Sequence, residues 1–204
     1  MVTEPAFILA SASPRRKELL ENLGFRFTVL PSGVSETFLD GESPGAHVIR
    51  LSLEKSRFVA ARNPRKWILG ADTAVVIGGE VLGKPRTPGE AREMLRKLSG
   101  KGHRVITGFA LVRDGEPPAV SRAVETLVVF RDIPEDELAW YVRTPEPYDK
   151  AGAYAAQGVA AAFIGEIYGS YTNVVGLPLC EVVSALKEVG AVRFFEGGTN
   201  GIGG

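Results

Sequence analysis

Apolar positions fall in short runs along this chain, and the spacing within each run sorts strands from helices. In "FILASASPRRKELL", residues 7–20, Phe7 to Ala10 read as the end of a buried strand. Ser13 then stands as an N-cap and Pro14 at the first helical position. Leu19, Leu20 and Leu23 make the apolar face of that helix, which Gly24 stops. "FRFTVL" alternates, with Phe25, Phe27 and Val29 on one face of a strand. "PSGVSETFLDGESPG" has no period and is read as a loop holding Glu36. Ser43-Pro44 opens a second helix that runs to about Ala61 and carries Lys55.

"WILGADTAVVIGGEVLGKP" predicts strand, strand, Gly-Gly turn, strand. In this reading a Gly-Ala turn precedes Asp72, which sits at a strand end, and Lys84 follows the last strand. "TPGEAREMLRKLSG" is a helix capped by Thr87, with Pro88 first and Gly100 as its stop. "HRVITGFALVRDGEPPAVSRAVETLVVF" is a long hairpin turning near Asp114-Gly115. "IPEDELAWYV" is a helix, "QGVAAAFIGEIYGSY" a strand, and "LPLCEVVSALKEVG" a final helix. Helices and strands alternate while hairpins intervene, so an α/β fold with a mixed sheet is expected.

At 204 residues the chain suits one domain with a core, assigned to 1–196; the Gly-rich tail, 197–204, is expected to be disordered. Lys plus Arg and Asp plus Glu are both 24, so no long basic groove for nucleic acid is implied and any cationic patch must be local. One cysteine, Cys180, excludes an internal disulfide and a Cys-rich zinc site; its helical spacing places it in the core. No signal-peptide pattern opens the chain and no apolar run reaches the roughly 18 residues of a membrane span, so the expected address is cytoplasmic, with no membrane partner.

Arg15 and Arg16 occupy the first turn of a helix, the wrong sign for its dipole, at a cost of roughly 0.3–1 kcal/mol each if exposed. They make sense if a phosphate chain completes the site, because free N–H groups and guanidinium forks both suit phosphate oxygens. Removing them should then harm catalysis and leave stability unchanged. The structural alternative is solvation, or pairing with Glu18 or Glu21. Asp72 could bind a divalent metal, orient water or simply close a turn. Glu36, Lys55 and Lys84 are ambiguous singly; Lys84 is the stronger, held in "LGKP" between a strand and a Pro turn. In "DKAGAYAAQG", Asp149, Lys150 and Gln157 stand among small residues, and an amide such as Gln157 can read a base edge or satisfy a loop. His47 and His103 lack metal-ligand spacing and are taken as structural or surface groups. The one G-x-S-x-G match, Gly41 to Gly45, follows a loop and has its Ser43 at a helix start rather than on a strand-to-helix elbow, and no Walker A motif occurs, so covalent catalysis is not indicated.

"LASASPRR", "EKSR", "GADTAVV", "LGKP", "REMLRKLSGKGHRVITG", "EPYDKAGAYAAQG" and "GSYTNVVGLPL", in that order, resemble the Maf proteins. These are nucleoside triphosphate pyrophosphatases once described as septum-formation inhibitors. The resemblance runs from about Phe7 to Leu186. It implies a mixed, curved sheet flanked by helices, with two lobes and a cleft, similar to the inosine triphosphatase (Maf/Ham1) fold. "SPRR", "GADT" and "GAYAAQG" look like the branch that prefers dTTP and UTP rather than 7-methyl-GTP. By that resemblance Arg15, Thr73 and Gln157 carry substrate choice and Asp72 is the proton acceptor. Ser11, Arg15, Arg16, Lys55 and Lys84 bind phosphate, and Glu36 with Asp72 holds Mg²⁺ or Mn²⁺. Ala155 and Ala156 depart from the common glycine and isoleucine. The resemblance also suggests a homodimer. Alternatives are a non-catalytic cell-division regulator and a purine pyrophosphatase of the inosine triphosphatase type.

Overall fold

A computed structural model describes residues 6–193; the expected Gly-rich tail lies outside the described residues. The chain order is β1 (Phe7–Leu9), α1 (Pro14–Glu21), β2 (Phe27–Val29), α2 (Pro44–Ala60), β3 (Ile68–Ile77), β4 (Glu80–Leu82) and α3 (Pro88–Leu98). The long hairpin β5 (Gly102–Val112) and β6 (Val120–Phe130) follows, then α4 (Glu135–Tyr141), β7 (Ile164–Tyr168), α5 (Tyr171–Val175) and α6 (Leu179–Glu188). The seven strands form one mixed sheet in the order β2-β1-β3-β5-β6-β7, with β4 paired to β3. β1 runs parallel to β2 and β3, and the remaining pairs are antiparallel.

Side chains alternate across a strand, and β3 sorts its residues by that rule. On one face Leu69 and Ala71 join Phe109 and Leu111 of β5 in a core closed by α1 and α6. Further along the same face Val75, Val105, Val128 and Phe130 join a second core closed by α3 and α4. Between the two cores lie the cross-strand partners Thr73 and Thr107, a polar seam. These two cores are the two lobes. On the other face α2 covers Ile68 and Val112 at one end, and Ala74, Val76 and Ile106 at the other.

Three sequence expectations change. The Gly-Ala turn before Asp72 does not exist: β3 runs unbroken from Ile68 to Ile77, and Asp72 sits in its middle. Gly70 serves close packing instead, since a Cβ there would lie 2.2 Å from the Ser52 carbonyl oxygen of α2. The strand expected over "QGVAAAFIGEIYGSY" begins only at Ile164, after a 3-10 turn over Val159–Phe163. The carboxylate of Glu146 accepts the N–H groups of Val159 and Ala160, which removes them from any ladder. Cys180 is exposed rather than in the core, because α6 buries the Val182, Ala185 and Leu186 face. No helix among the described residues is long and apolar enough to cross a membrane.

Candidate active site

The site forms where the sheet is incomplete. β5 pairs with β3 from Ile68 to Val76. The opposite edge of β3 meets β1 only at Ile8 and Leu9, and meets β4 only from Val75 onward. Gly70 to Ala74 therefore have an open edge, and residues from both faces of β3 can reach one cleft. That is why Asp72, on the α2 face, and Thr73, on the lobe face, line the same cavity of about 440 Å³. The volume lies in the usual small-molecule range. Ser11, Arg15, Arg16, Glu36, Lys55, Lys84 and Gln157 line it as well, so the candidate residues converge.

α2 lies flat on the sheet because two bare glycine backbones admit it. A Cβ on Gly108, opposite Asp72 in the β5 register, would lie 2.3 Å from the Val48 carbonyl oxygen. This close seat brings Lys55 to the carboxylates. Its Nζ donates to Glu36 Oε1 at 2.6 Å and to Asp72 Oδ1 at 2.7 Å. Lys84 stands 3.5 Å from Glu36 Oε2, with its side chain 57% exposed against 7% for Lys55. Lys55 is thus the enclosed cation and Lys84 the exposed one. Burial pushes the Glu36 carboxyl up, but the bonds from Lys55 and the charges of Lys55 and Lys84 outweigh it and hold the group below the usual carboxylate range.

His47, expected to be structural or at the surface, is buried on α2, eight residues before Lys55. Its Nδ1 is 2.9 Å from Glu42 Oε2, its ring stacks on Phe38, and its Nε2 is 4.0 Å from Asp72 Oδ2. Arg50 clamps Glu42 at 2.6 and 2.7 Å, and with His47 it holds that carboxyl down to about 2 despite opposing desolvation.

The two arginines of α1 have different surroundings, and neither pairs with Glu18 or Glu21. Ser13 caps the helix as expected, accepting from the Arg16 N–H. Arg15 crosses the cleft to Asp149 at 3.1 Å. Arg16 turns inward and is buried. It donates to Gly176 O at 2.7 Å, Ala71 O at 2.8 Å, Thr73 Oγ1 at 2.9 Å and Ser11 Oγ at 3.1 Å. The Ala71 carbonyl lies on the open edge of β3, so Arg16 stands in for the missing strand. Burial lowers its pKa, and Asp72 and Glu36 oppose that shift. Thr107 donates to Asn173 O at 3.1 Å, and the Thr73 hydroxyl accepts from Arg16 at 2.9 Å, lies 2.9 Å from Thr107 Oγ1 and reaches Gly176 O at 3.5 Å.

In a chain of zero net charge, five cationic side chains face three carboxylates in this cleft. Val75, Val105, Tyr154, Ala155, Ala156 and Gln157 line the same cavity. Cationic side chains together with apolar ones and one amide suit a small polyanion that carries a ring. Among the described residues no group of three or more His, Cys, Asp or Glu could cage a metal. Glu36 and Asp72 nevertheless bracket a single positive charge, that of Lys55. Two carboxylates suit Mg²⁺, which keeps waters and shares its sphere with substrate phosphates.

The cleft and fold are those of an α/β protein built to hold a phosphorylated small molecule between two lobes. Residues 6–189 match the Maf-like protein family, and the chain belongs to that family. A relative from Syntrophus aciditrophicus (strain SB), named dTTP/UTP pyrophosphatase, is 56% identical over 95% of this chain and 94% of its own. One from Geobacter sp. (strain M21) with the same name is 51% identical, over 92% of this chain and 97% of its own. A solved HAM1 protein from Coxiella burnetii is similar at TM-score 0.43 and 17% identity, over 63% of this chain and 74% of that one, too faint a likeness to bear on function.

Proposed function

We propose that the protein hydrolyses dTTP and UTP to the monophosphate and pyrophosphate, with Mg²⁺ or Mn²⁺ at Glu36 and Asp72. The carrying observation is the Glu36–Lys55–Asp72 cluster, set at the open edge of β3 in a cleft with excess positive charge. The names of relatives that match over nine-tenths of the chain support the substrate assignment. Arg15, Lys84 and the N-terminus of α1 with Ser11 receive the phosphates, and Arg16 holds the backbone they lie against. Water attacks the α-phosphorus, the bond to the bridging oxygen breaks and pyrophosphate leaves with its electron pair. Asp72, with Lys55 on its Oδ1, takes the water's proton. When bound there, the cation would neutralise phosphate charge and make water more acidic. Electrostatic stabilisation of this kind is usually the largest catalytic contribution.

Gln157 pairs with the O4/N3 edge of uracil or thymine, with Arg15 and Thr73 completing substrate choice. Cytosine presents the opposite donor and acceptor pattern, and the non-catalytic and purine alternatives draw no support from the relatives' names. Residues 1–196 act as one catalytic unit, in a cytoplasmic homodimer. A nucleotide panel with Mg²⁺ tests this reading by pyrophosphate release from the wild type and Asp72→Asn. Turnover of dTTP and UTP well ahead of dCTP, ATP and GTP, lost in a folded Asp72→Asn protein, is the expected result. Purines turned over fastest, or a fully active variant, overturns it.

A further inference from the structure

Gln157 lies at the tip of a tight turn, in which the Gly158 N–H returns to the Ala155 carbonyl at 3.1 Å. Such a tip has no partner of its own to fix where the amide points, and a glutamine amide free to flip cannot tell uracil from cytosine. Beyond its own backbone bonds, the turn is tied down by one carboxylate 11 residues upstream of the glutamine in sequence. Glu146 Oε2 accepts the Val159 N–H at 2.8 Å, and Oε1 accepts the Ala160 N–H at 3.1 Å and the Tyr141 hydroxyl at 3.0 Å. Tyr141 is fully buried against Phe163 in the core of the second lobe, so the carboxylate is anchored to that core. Gly158 makes the approach feasible, because a Cβ there would stand 2.3 Å from Glu146 Oε2. The same short 3-10 turn, Glu146–Asp149, carries the Arg15 partner Asp149.

We propose that Glu146 is a positioning residue for base selection. Held by Tyr141 and admitted by Gly158, it sets the turn that presents Gln157 and fixes that turn relative to Arg15. The inference rests on the reading of Gln157 as the base-selecting amide. A carboxylate is required because three donors converge on two oxygens; a glutamine offers one acceptor oxygen and places an N–H₂ group against an amide N–H.

The test is the ratio of kcat/KM for dTTP to that for dCTP in Glu146→Gln, Gly158→Ala, Tyr141→Phe and Gln157→Ala. Gly158→Ala displaces the carboxylate without altering it, and Tyr141→Phe removes one hydroxyl and keeps the ring, so both leave the core intact if Glu146→Gln folds poorly. The expected result is a ratio lowered about tenfold in Glu146→Gln and Gly158→Ala, chiefly through KM for dTTP. Tyr141→Phe gives a smaller drop, and the Glu146→Gln/Gly158→Ala double variant is no worse than either single one, since both break the same contact. If Gln157→Ala lowers the ratio while the other variants keep it, or lower both substrates in parallel, Glu146 is only structural and the proposal is overturned. If Gln157→Ala itself keeps the ratio, the reading of Gln157 fails first, a distinguishable result.

Discussion

Arg15 and Arg16 are adjacent in sequence and alike in charge, yet their removal should have opposite consequences. Arg16→Ala deletes four hydrogen bonds, leaving the Ala71 carbonyl without its side-chain donor and the Gly176 carbonyl with only the Thr73 hydroxyl at 3.5 Å. A buried polar group left unpaired costs about 1–3 kcal/mol. Water entering from the cleft recovers part of that for two carbonyls, and losing a buried cation removes its desolvation penalty, so about 3 kcal/mol is the central figure. In a domain of this size about 1 kcal/mol shifts Tm by roughly 2–4 °C, so Arg16→Ala should melt about 6–12 °C early. Arg15→Ala loses a pair in which Asp149 is 60% exposed, and it relieves a cation at a helix N-terminus. Exposed pairs are worth about 0–1 kcal/mol, so the Arg15→Ala protein should melt within about 3 °C of wild type. Pyrophosphate should raise the wild-type Tm and raise that of Arg15→Ala less, because a ligand of the folded state stabilises in proportion to its affinity. Thermal unfolding by circular dichroism, with and without pyrophosphate, measures all of this. Equal melting temperatures for the two variants would refute the assignment of Arg16 as a strut across the open edge of β3.

Gly70→Ala should destabilise by about 1–3 kcal/mol and lower turnover, since the new Cβ drives α2, and Lys55 with it, off the sheet; Gly45→Ala on the same helix, where a Cβ meets nothing within 4 Å, should be neutral in both the denaturant midpoint and kcat. His103 is held by burial down to about 4, against an ordinary value of 6.5. The unfolded chain therefore binds a proton first as pH falls, so this contribution is intact above pH about 6.5 and is lost progressively toward pH about 4, by about 3 kcal/mol in all. Denaturant unfolding across that window should show the slope in wild type and a shallower one in His103→Gln; parallel curves would exclude His103 as the cause.

Much of this architecture is written in local signals. Ser13-Pro14, Ser43-Pro44 and Thr87-Pro88 cap their helices where the pattern places them, and the β5–β6 hairpin turns at its Asp-Gly. Local signals failed where tertiary contact decides. Gly70 looks like a turn in sequence and is a bare patch under a helix, a fact visible only once α2 is docked. Nothing local shows that β1 ends at Leu9 and leaves the Ala71 carbonyl open, so the hydrogen bond Arg16 makes to it carries no sequence signal. The motifs gathered the charged residues into one site, but which of Lys55 and Lys84 is enclosed was not legible, because burial is a property of the assembled sheet. Glu146 was hidden for the same reason: its partners Val159 and Ala160 are backbone groups, which carry no sequence signature.

The central claim is that the cleft directs water onto the α-phosphorus beside Asp72. Hydrolysis of dTTP in water enriched in oxygen-18, with the products separated and weighed by mass spectrometry, tests it most directly. One heavy oxygen in dTMP and none in pyrophosphate is the predicted result; label in pyrophosphate, or release of inorganic phosphate in its place, would contradict it.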